Sequence, residues 1–303
     1  MRYELKIALR YLRARRKEAF ISITTIFTAV GVMIGVAALT ITLSVIGGFE
    51  ASLKQRVLSL SPQVQIMNGD GSISNYAEIE AIADRVKGVD GSDPFIIGQG
   101  MMSSGRGIGG VVVRGIEPDN PAVQGRWSHY MKEGGLKDLA KDVPVTGTSG
   151  GPVVSGGRIA VGVGLADKLK IKLGDEVRII APIFSGPDGS LTTKTADFKV
   201  GAVFDSGMAF FDTNVTFMDL GHAQNFFGRL GRADGVDVHL ANLDDTAAVT
   251  TALRHQLKQP YIVRNWIESN ESASAGFEIL KRVYALVLML LIGVAAFNLV
   301  ATL

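Results

Sequence analysis

Two long apolar runs near the ends of the chain enclose a segment of mixed polarity. The first run lies between Glu18 and Glu50, and the second covers residues 283–303. Because a bilayer core of about 30 Å requires roughly 20 apolar residues of helix, each run is long enough to cross a membrane. The pattern therefore predicts two transmembrane helices, with residues 50–282 together on one side of the membrane.

Short hydrophobic periods inside the enclosed segment predict an α+β domain. Alternation at 64–66 predicts a strand, and the helical spacing that follows predicts a helix with a capping box formed by Asn75 and Glu78. A strand, a helix and a strand recur at 236–240, 244–257 and 261–263. The two units predict one ferredoxin-like α+β subdomain built from both ends of the segment. Short alternating strands between them, punctuated by glycine, predict an inserted small β subdomain.

These patterns divide the chain into six parts. They are a cytoplasmic basic segment at 1–18, a transmembrane helix at 19–49, a stalk and first half of the α+β subdomain at 50–117, the inserted β subdomain at 118–228, the second half of the α+β subdomain at 229–276, and a stalk with a second transmembrane helix at 277–303. The fold class expected is thus a membrane protein whose transmembrane α-helices flank an α+β extracytoplasmic domain.

Small and polar residues inside the apolar runs indicate helix packing. Gly31 and Gly35 lie four residues apart in the first run, and Asn298 lies in the second. Small residues let membrane helices approach closely, and an amide in lipid is costly unless it is paired. Both runs are therefore expected to pack against other helices.

The distribution of charge sets the orientation. Residues 1–17 contain seven bases and one acid, a local charge of +6, and since the whole chain carries +2 the remainder carries −4. Bases close to a transmembrane helix stay in the cytoplasm, so the amino terminus is expected inside and the large domain outside. The acidic remainder disfavours nucleic-acid binding. The chain has no cysteine, which excludes disulfides.

No motif in the sequence supports catalysis. Residues 147–151 match G-x-S-x-G, but Pro152 and the valines after it favour a turn into a strand instead of the strand-to-helix elbow that a nucleophile needs. The four histidines are scattered singly, without the spacing of a metal site, and are interpreted as ordinary surface or core residues. No phosphate-binding Walker motif occurs, so any ATPase is a partner. We expect no catalytic residue, cofactor or metal.

Residues 181–195 form the most distinctive segment between the two apolar runs. They are predicted as a loop between two strands that is longer than usual and carries prolines and apolar side chains. The residues expected to be exposed there are Pro182, Ile183, Phe184, Pro187 and Leu191. Such a loop either grips the apolar surface of a partner or folds back on its own domain.

Three stretches resemble a known family of transporters. Residues 44–50 read S-V-I-G-G-F-E, residues 173–178 read L-G-D-E-V-R, and residues 293–298 read G-V-A-A-F-N. In this order they are similar to recurrent segments of lipoprotein-releasing ABC transporter permeases, the LolC/LolE family of the MacB/FtsX-like superfamily. The first motif departs from the family pattern because Ile46 replaces methionine.

The resemblance implies a multi-pass subunit of the bacterial inner membrane with a large periplasmic domain. Its expected partners are a cytoplasmic ABC ATPase, a second permease copy or paralogue, a periplasmic lipoprotein carrier, the lipoprotein substrate and membrane lipid. A proline-containing hairpin that hooks the carrier falls on 181–195, with Arg178 as the basic pad at its base. Lipoprotein access falls near Val45, Ile46 and Phe49.

Family members continue beyond the second of these helices, so the resemblance also predicts that the chain is a fragment. Three alternatives remain open. They are an efflux permease of the MacB type, a regulatory permease of the FtsX type, and a membrane-anchored periplasmic scaffold without an ATPase.

Overall fold

The structure is a computed structural model that describes residues 61–69, 71–141, 157–185, 190–269 and 282–290, with isolated positions near both ends. The chain divides into two compact units, one of residues 57–269 and one of residues 1–56 with 270–303. In the second of these, residues 282–290 are helical. Among the described residues, no helix has both the length and the apolar character needed to cross a membrane. Most of the first predicted transmembrane helix and about half of the second lie outside these residues.

The unit of residues 57–269 contains ten strands and seven helices among its described residues. The strands are β1 (Val64–Asn68), β2 (Val89–Ser103), β3 (Ile108–Ile116), β4 (Met131–Gly134), β5 (Arg158–Gly162), β6 (Glu176–Ser185), β7 (Ser190–Phe204), β8 (Val215–Asp219), β9 (Gly235–Leu240) and β10 (Tyr261–Asn265). The helices are α1 (Tyr76–Ala83), α2 (Pro121–Trp127), α3 (Val163–Leu169), α4 (Ala209–Asn214), α5 (Leu220–Phe226), α6 (Thr246–Gln256) and α7 (Trp266–Ser269). Short 3₁₀ turns occupy Ser128–Tyr130, Leu136–Ala140 and Leu243–Asp245.

The two ends of this unit form a four-stranded antiparallel sheet in the order β10-β1-β9-β2. Alternation in β1 and β9 turns Ile66, Val236 and Val238 to one face, where they pack with Ile79 of α1 and Leu253 of α6. Burial of these side chains drives the two helices onto that face. The strand order and the two crossover helices are those of a ferredoxin-like split βαβ motif.

Strand β2 connects this sheet to a second part of the same unit. Its 15 residues pair with β9 over the first half and with β3 and β6 over the second half. From β3 the sheet continues through β8, β5 and β7 to β4. One face packs against α3 and α5 around Met102 and Ile179, and the other holds an aromatic core around Trp127, Phe204 and Phe217. The α+β prediction is confirmed, and the shared strand joins both parts in one compact unit.

The capping box predicted at Asn75 is wrong. Asn75 stands at the start of α1, but its side chain accepts no backbone hydrogen bond from the helix. Its amide Nδ2 donates to Glu78 at 2.9 Å, and its Oδ1 accepts from the Tyr261 hydroxyl at 2.8 Å. The tie to β10 therefore replaces the local cap.

Side chains cover open strand edges at two places. On β10, the Val263 carbonyl accepts from Arg254 at 3.1 and 2.8 Å, and Arg254 is paired with Glu268. On β2, the Ile97 N–H donates to Asp234 at 2.8 Å where the strand changes partners. Unpaired strand edges invite pairing with other chains, so these contacts guard the sheet against strand addition.

Candidate functional site

The segment predicted as a long loop is a two-stranded ribbon. Strands β6 and β7 pair in continuous register from Glu176 with Lys199 to Ser185 with Ser190. Strand β6 pairs with β2 only as far as Ile180, so the residues beyond it pair with β7 alone. The loop prediction is wrong in length, because only residues 186–189 separate the strands. The hairpin instead extends past the body of the sheet.

The register assigns the hairpin residues to two faces. Residues directly opposite in an antiparallel pair share a face, and neighbours along a strand alternate. Arg178, Ile180, Pro182 and Leu191 therefore lie on one face, which we call the outer face. Phe184 pairs with Leu191 in the same register. The outer face changes along its length from charged residues at the base to apolar residues toward the turn.

The opposite, inner face is anchored to the domain. Ile183 is half-buried and packs against the core that contains Ile179. The Lys194 ammonium donates to the Asn225 carbonyl at 2.7 Å, near the end of α5. Burial lowers the pKa of Lys194 below its ordinary value. The hairpin is therefore fixed on one face and free to meet a partner on the other.

These faces divide the predicted hook residues. Pro182 is exposed, and Leu191 is 65% exposed on the outer face. Ile183 belongs to the inner face, which corrects the expectation that it is exposed for binding. Pro187 lies outside the described residues. Pro182 and Leu191 therefore carry the candidate contact surface among the described side chains.

The position of Pro182 explains why a proline is tolerated in this strand. A side chain at Gly100 of β2 would meet the Ile180 carbonyl, so the peptide groups of Ile180 face β2. Peptide groups alternate in direction along a strand, which turns the nitrogen of Pro182 toward the open edge and away from β7. Its missing N–H costs no bond of the ladder and leaves the open edge without a donor at this position.

Arg178, the predicted pad residue, forms an ion pair at the base of the hairpin. Its Nε and Nη2 donate to the two carboxylate oxygens of Asp197 at 2.6 and 2.9 Å, directly across the strands. Hydrogen bonding to Asp197 raises the pKa of the Arg178 guanidinium. Any partner that meets Arg178 thus meets the pair with Asp197.

The remaining predicted site residues belong to the apolar runs. Gly31 and Gly35 are helical, and a Cβ at either would have no neighbour within 4 Å. Val45, Ile46, Phe49 and Asn298 lie outside the described residues. The predictions of helix packing and lipoprotein access therefore stay predictions.

A buried charged cluster, which the sequence analysis missed, lies on the other face of the ferredoxin-like sheet. Asp93 and Asp237 are directly opposite on β2 and β9, and they are 1% and 0% exposed. Asp237 pairs with Arg114 of β3 and accepts from the Gln65 amide at 2.9 Å. Asp93 accepts from His239 at 3.0 Å and pairs with Arg126 of α2 at 3.2 Å. We call Asp93, Arg114, Arg126, Asp237 and His239 the charged cluster.

Burial and neighbouring charges shift the pKa values of four members of the charged cluster. Burial opposes ionisation of Asp93, but the hydrogen bond with His239 and the charges of His239, Arg126 and Arg114 hold its pKa below the ordinary value. Burial lowers the pKa of Arg114 to about 10, which leaves it protonated at neutral pH. Burial also lowers the pKa of His239. The two aspartates thus face two guanidinium groups, with the His239 imidazole against Asp93.

The same residues include the ligand types of a metal site. Ligand atoms of Asp93, Asp237 and His239 lie within 4.8 Å of one another. Each carboxylate already accepts two hydrogen bonds, at least one from an arginine, and the arginine charges already neutralise both. A divalent cation would add two uncompensated charges in a buried place. The arrangement therefore fits a structural ion-pair cluster better than a metal centre.

An acidic cleft of about 360 Å³ lies beside the charged cluster. Its lining includes Glu80, Asp84 and Asp90, with Ser92 and Asn120 between them. Burial raises the pKa of Glu80 to about 7, with further repulsion from Glu117, Asp84 and Asp93. Asn120 donates to Glu80 at 3.0 Å and opposes the shift.

Replacing Glu80 by glutamine is expected to stabilise the protein at alkaline pH. The pKa of Glu80 rises from 4.5 to about 7 on folding, so its contribution to stability is present in acid and lost as pH rises through 7. Because the side chain is only partly buried, the gain at pH 8 should be about 1 kcal/mol, with none at pH 4. Thermal unfolding at both pH values measures this. The exposed Glu133→Gln should show no such difference, and an equal shift in both variants would contradict the assignment.

Comparison with known proteins identifies the family of this chain. Residues 25–256 match the model of the MacB-like periplasmic core domain, so the chain belongs to that family. The LolC lipoprotein-releasing transmembrane protein of Neisseria meningitidis is 27% identical over 301 residues, 99% of this chain and 69% of that protein. The LolE protein of Haemophilus influenzae is 23% identical over 304 residues, 98% of this chain and 69% of that protein.

One similar solved structure is the periplasmic region of MacB from Actinobacillus actinomycetemcomitans, at 13% identity and a TM-score of 0.43, covering 73% of this chain and 94% of that one. With the LolC and LolE relatives, the family match defines the chain as a LolC/LolE-type member of the MacB-like superfamily. It is an ABC-transporter permease, a subunit class in which ATPase activity belongs to a separate subunit.

Proposed function

We propose that this chain is the permease subunit of an ATP-driven transporter that extracts lipoproteins from the inner membrane and passes them to a periplasmic carrier. The hairpin carries the proposal, because its inner face is anchored while Pro182 and Leu191 stand exposed beyond the last pairing with β2. Exposed apolar side chains on a rigid support are suited to gripping a partner without a large loss of conformational entropy.

The remaining parts of the proposal follow from the apolar runs and the family. Residues 19–49 and 277–303 cross the membrane with the amino terminus in the cytoplasm, and the domain between them is periplasmic. The chain works with a second permease copy or paralogue and a cytoplasmic ABC ATPase. It has no cofactor of its own. Lipoprotein and lipid reach it near Val45, Ile46 and Phe49, and Gly31, Gly35 and Asn298 pack the membrane helices.

Photo-cross-linking tests the role of the hairpin. A photoreactive amino acid at Leu191, on the outer face, is expected to capture the periplasmic carrier in cells that express the full-length permease. The same group at Thr251, exposed on α6, should give no adduct with the carrier. An adduct at Thr251 but none at Leu191 would overturn the docking role of the hairpin.

Copurification tests the transporter role separately. The full-length permease is expected to bring down a small ABC ATPase from membranes, in the presence or absence of the carrier. A permease without any ATPase would contradict the proposal, and an ATPase without carrier adducts would favour efflux instead.

A further inference from the structure

We propose that the charged cluster is a rigid joint that fixes the angle between the ferredoxin-like sheet and the rest of the periplasmic unit. Its five residues lie on four elements. Asp93, Asp237 and His239 lie on β2 and β9 of the ferredoxin-like sheet, whereas Arg114 and Arg126 come from β3 and α2 of the second part. Both arginine ion pairs of the charged cluster therefore join the ferredoxin-like sheet to the second part.

The chemistry of the joint distinguishes it from an ordinary apolar contact. Apolar surfaces attract without direction, so they hold two parts together but tolerate sliding. Ion pairs with hydrogen bonds require defined donor and acceptor geometry. Separating a buried pair costs far more free energy than separating an exposed one. Sliding of the two parts would leave Asp93 and Asp237 facing each other across β2 and β9 without their counter-charges.

The position of the joint is also suited to holding the two parts at a fixed angle. Strand β2 runs through both parts and exchanges β9 for β3 as its partner between Phe95 and Ile96. The joint spans that strand near Asp93, and Phe95 packs over the Arg114 guanidinium at 5.2 Å. Ion pairs on one side of the strand thus oppose its bending. The use of this rigidity in transport rests on the proposed function, but the rigidity itself does not.

Spin-label distances test the joint directly. The chain has no cysteine, so labelled cysteines at exposed Ala248 of α6 and Lys168 of α3 report only the separation of the two parts. Double electron–electron resonance on the full-length protein in nanodiscs, without nucleotide or carrier, should give one narrow distance distribution. A broad or bimodal distribution in the unmodified cluster would overturn the proposal.

Replacing the charged cluster tests whether it causes the narrow distance distribution. The variant Asp93→Leu, Asp237→Leu, Arg114→Met, Arg126→Met and His239→Leu keeps similar side-chain volumes, and such apolar replacements are often neutral for stability. It is expected to stay folded and to broaden the distance distribution at least twofold. The single variant Arg126→Met, which breaks only the link to α2, should broaden it less and serves if the fivefold variant does not fold.

A matched control uses the exposed pair of Arg254 and Glu268, which lies within one part. Arg254→Met with Glu268→Leu should leave the distribution narrow. A fold-competent cluster variant that also stays narrow would assign the rigidity to apolar packing and overturn the joint. Because no transport is measured, the result is independent of the proposed function.

Discussion

Replacing Leu191 by aspartate is expected to weaken binding of the periplasmic carrier by roughly 10- to 100-fold. The side chain is 65% exposed on the outer face, so a partner would bury most of it. Loss of that burial removes about 1.5–3 kcal/mol, and each 1.4 kcal/mol is a tenfold change in affinity. Binding of purified carrier to the full-length permease measures the effect.

The matched control is Thr192→Asp, which adds the same charge one residue away on the inner face. Its position opposite Ile183 turns it from the partner, so carrier binding should change by less than about threefold, well under 1 kcal/mol. Equal losses in both variants would indicate a general electrostatic effect. No loss in Leu191→Asp would remove Leu191 from the contact surface.

Replacing Asp237 by alanine is expected to destabilise the unit of residues 57–269 by about 3–5 kcal/mol. The substitution leaves the buried guanidinium of Arg114 without its carboxylate and removes the acceptor of the Gln65 amide. Breaking one partner of a buried pair is costly because the other charge stays in the interior. Denaturant unfolding of the full-length protein, followed by tryptophan fluorescence, measures the change.

Asp138→Ala provides the comparison for an exposed pair. Asp138 pairs with Lys141 at 2.6 Å, with side chains 30% and 62% exposed. Exposed ion pairs contribute at most about 1 kcal/mol, so the variant should unfold close to the parent. A small effect of Asp237→Ala, comparable to that of Asp138→Ala, would mean that water reaches Arg114 when its partner is removed.

Local periodicity was sufficient to predict much of the sheet architecture. Alternation in β1 and β9 and the helical spacing of α1 and α6 lie in short stretches, so the sequence predicts their order and the structure contains it. The loop at 181–195 was misjudged because prolines and glycines suggest a turn, whereas pairing across the hairpin extends both strands. Pro182 is compatible with that pairing only because its nitrogen faces the open edge of β6 and not β7.

The charged cluster was beyond prediction for a different reason. Asp237 and His239 alternate with valines in β9, a pattern typical of a strand with one face in water. That face is instead covered by Arg114 and Arg126, which come from distant parts of the sequence. An aspartate inside an otherwise apolar strand is the one signal that could have indicated a buried partner.

The guarded edges have a consequence for how this permease acquires partners. A partner that added a strand would bind through backbone hydrogen bonds. Because the backbone is nearly the same in every protein, such binding would discriminate little between partners. Pro182 removes one backbone donor from the open edge of β6, and Asp234 occupies the Ile97 N–H of β2, so both positions favour recognition through side chains. If the hairpin binds the proposed carrier, its specificity rests on side chains, so exchanging a few residues near the turn would change the partner without rebuilding the supporting fold.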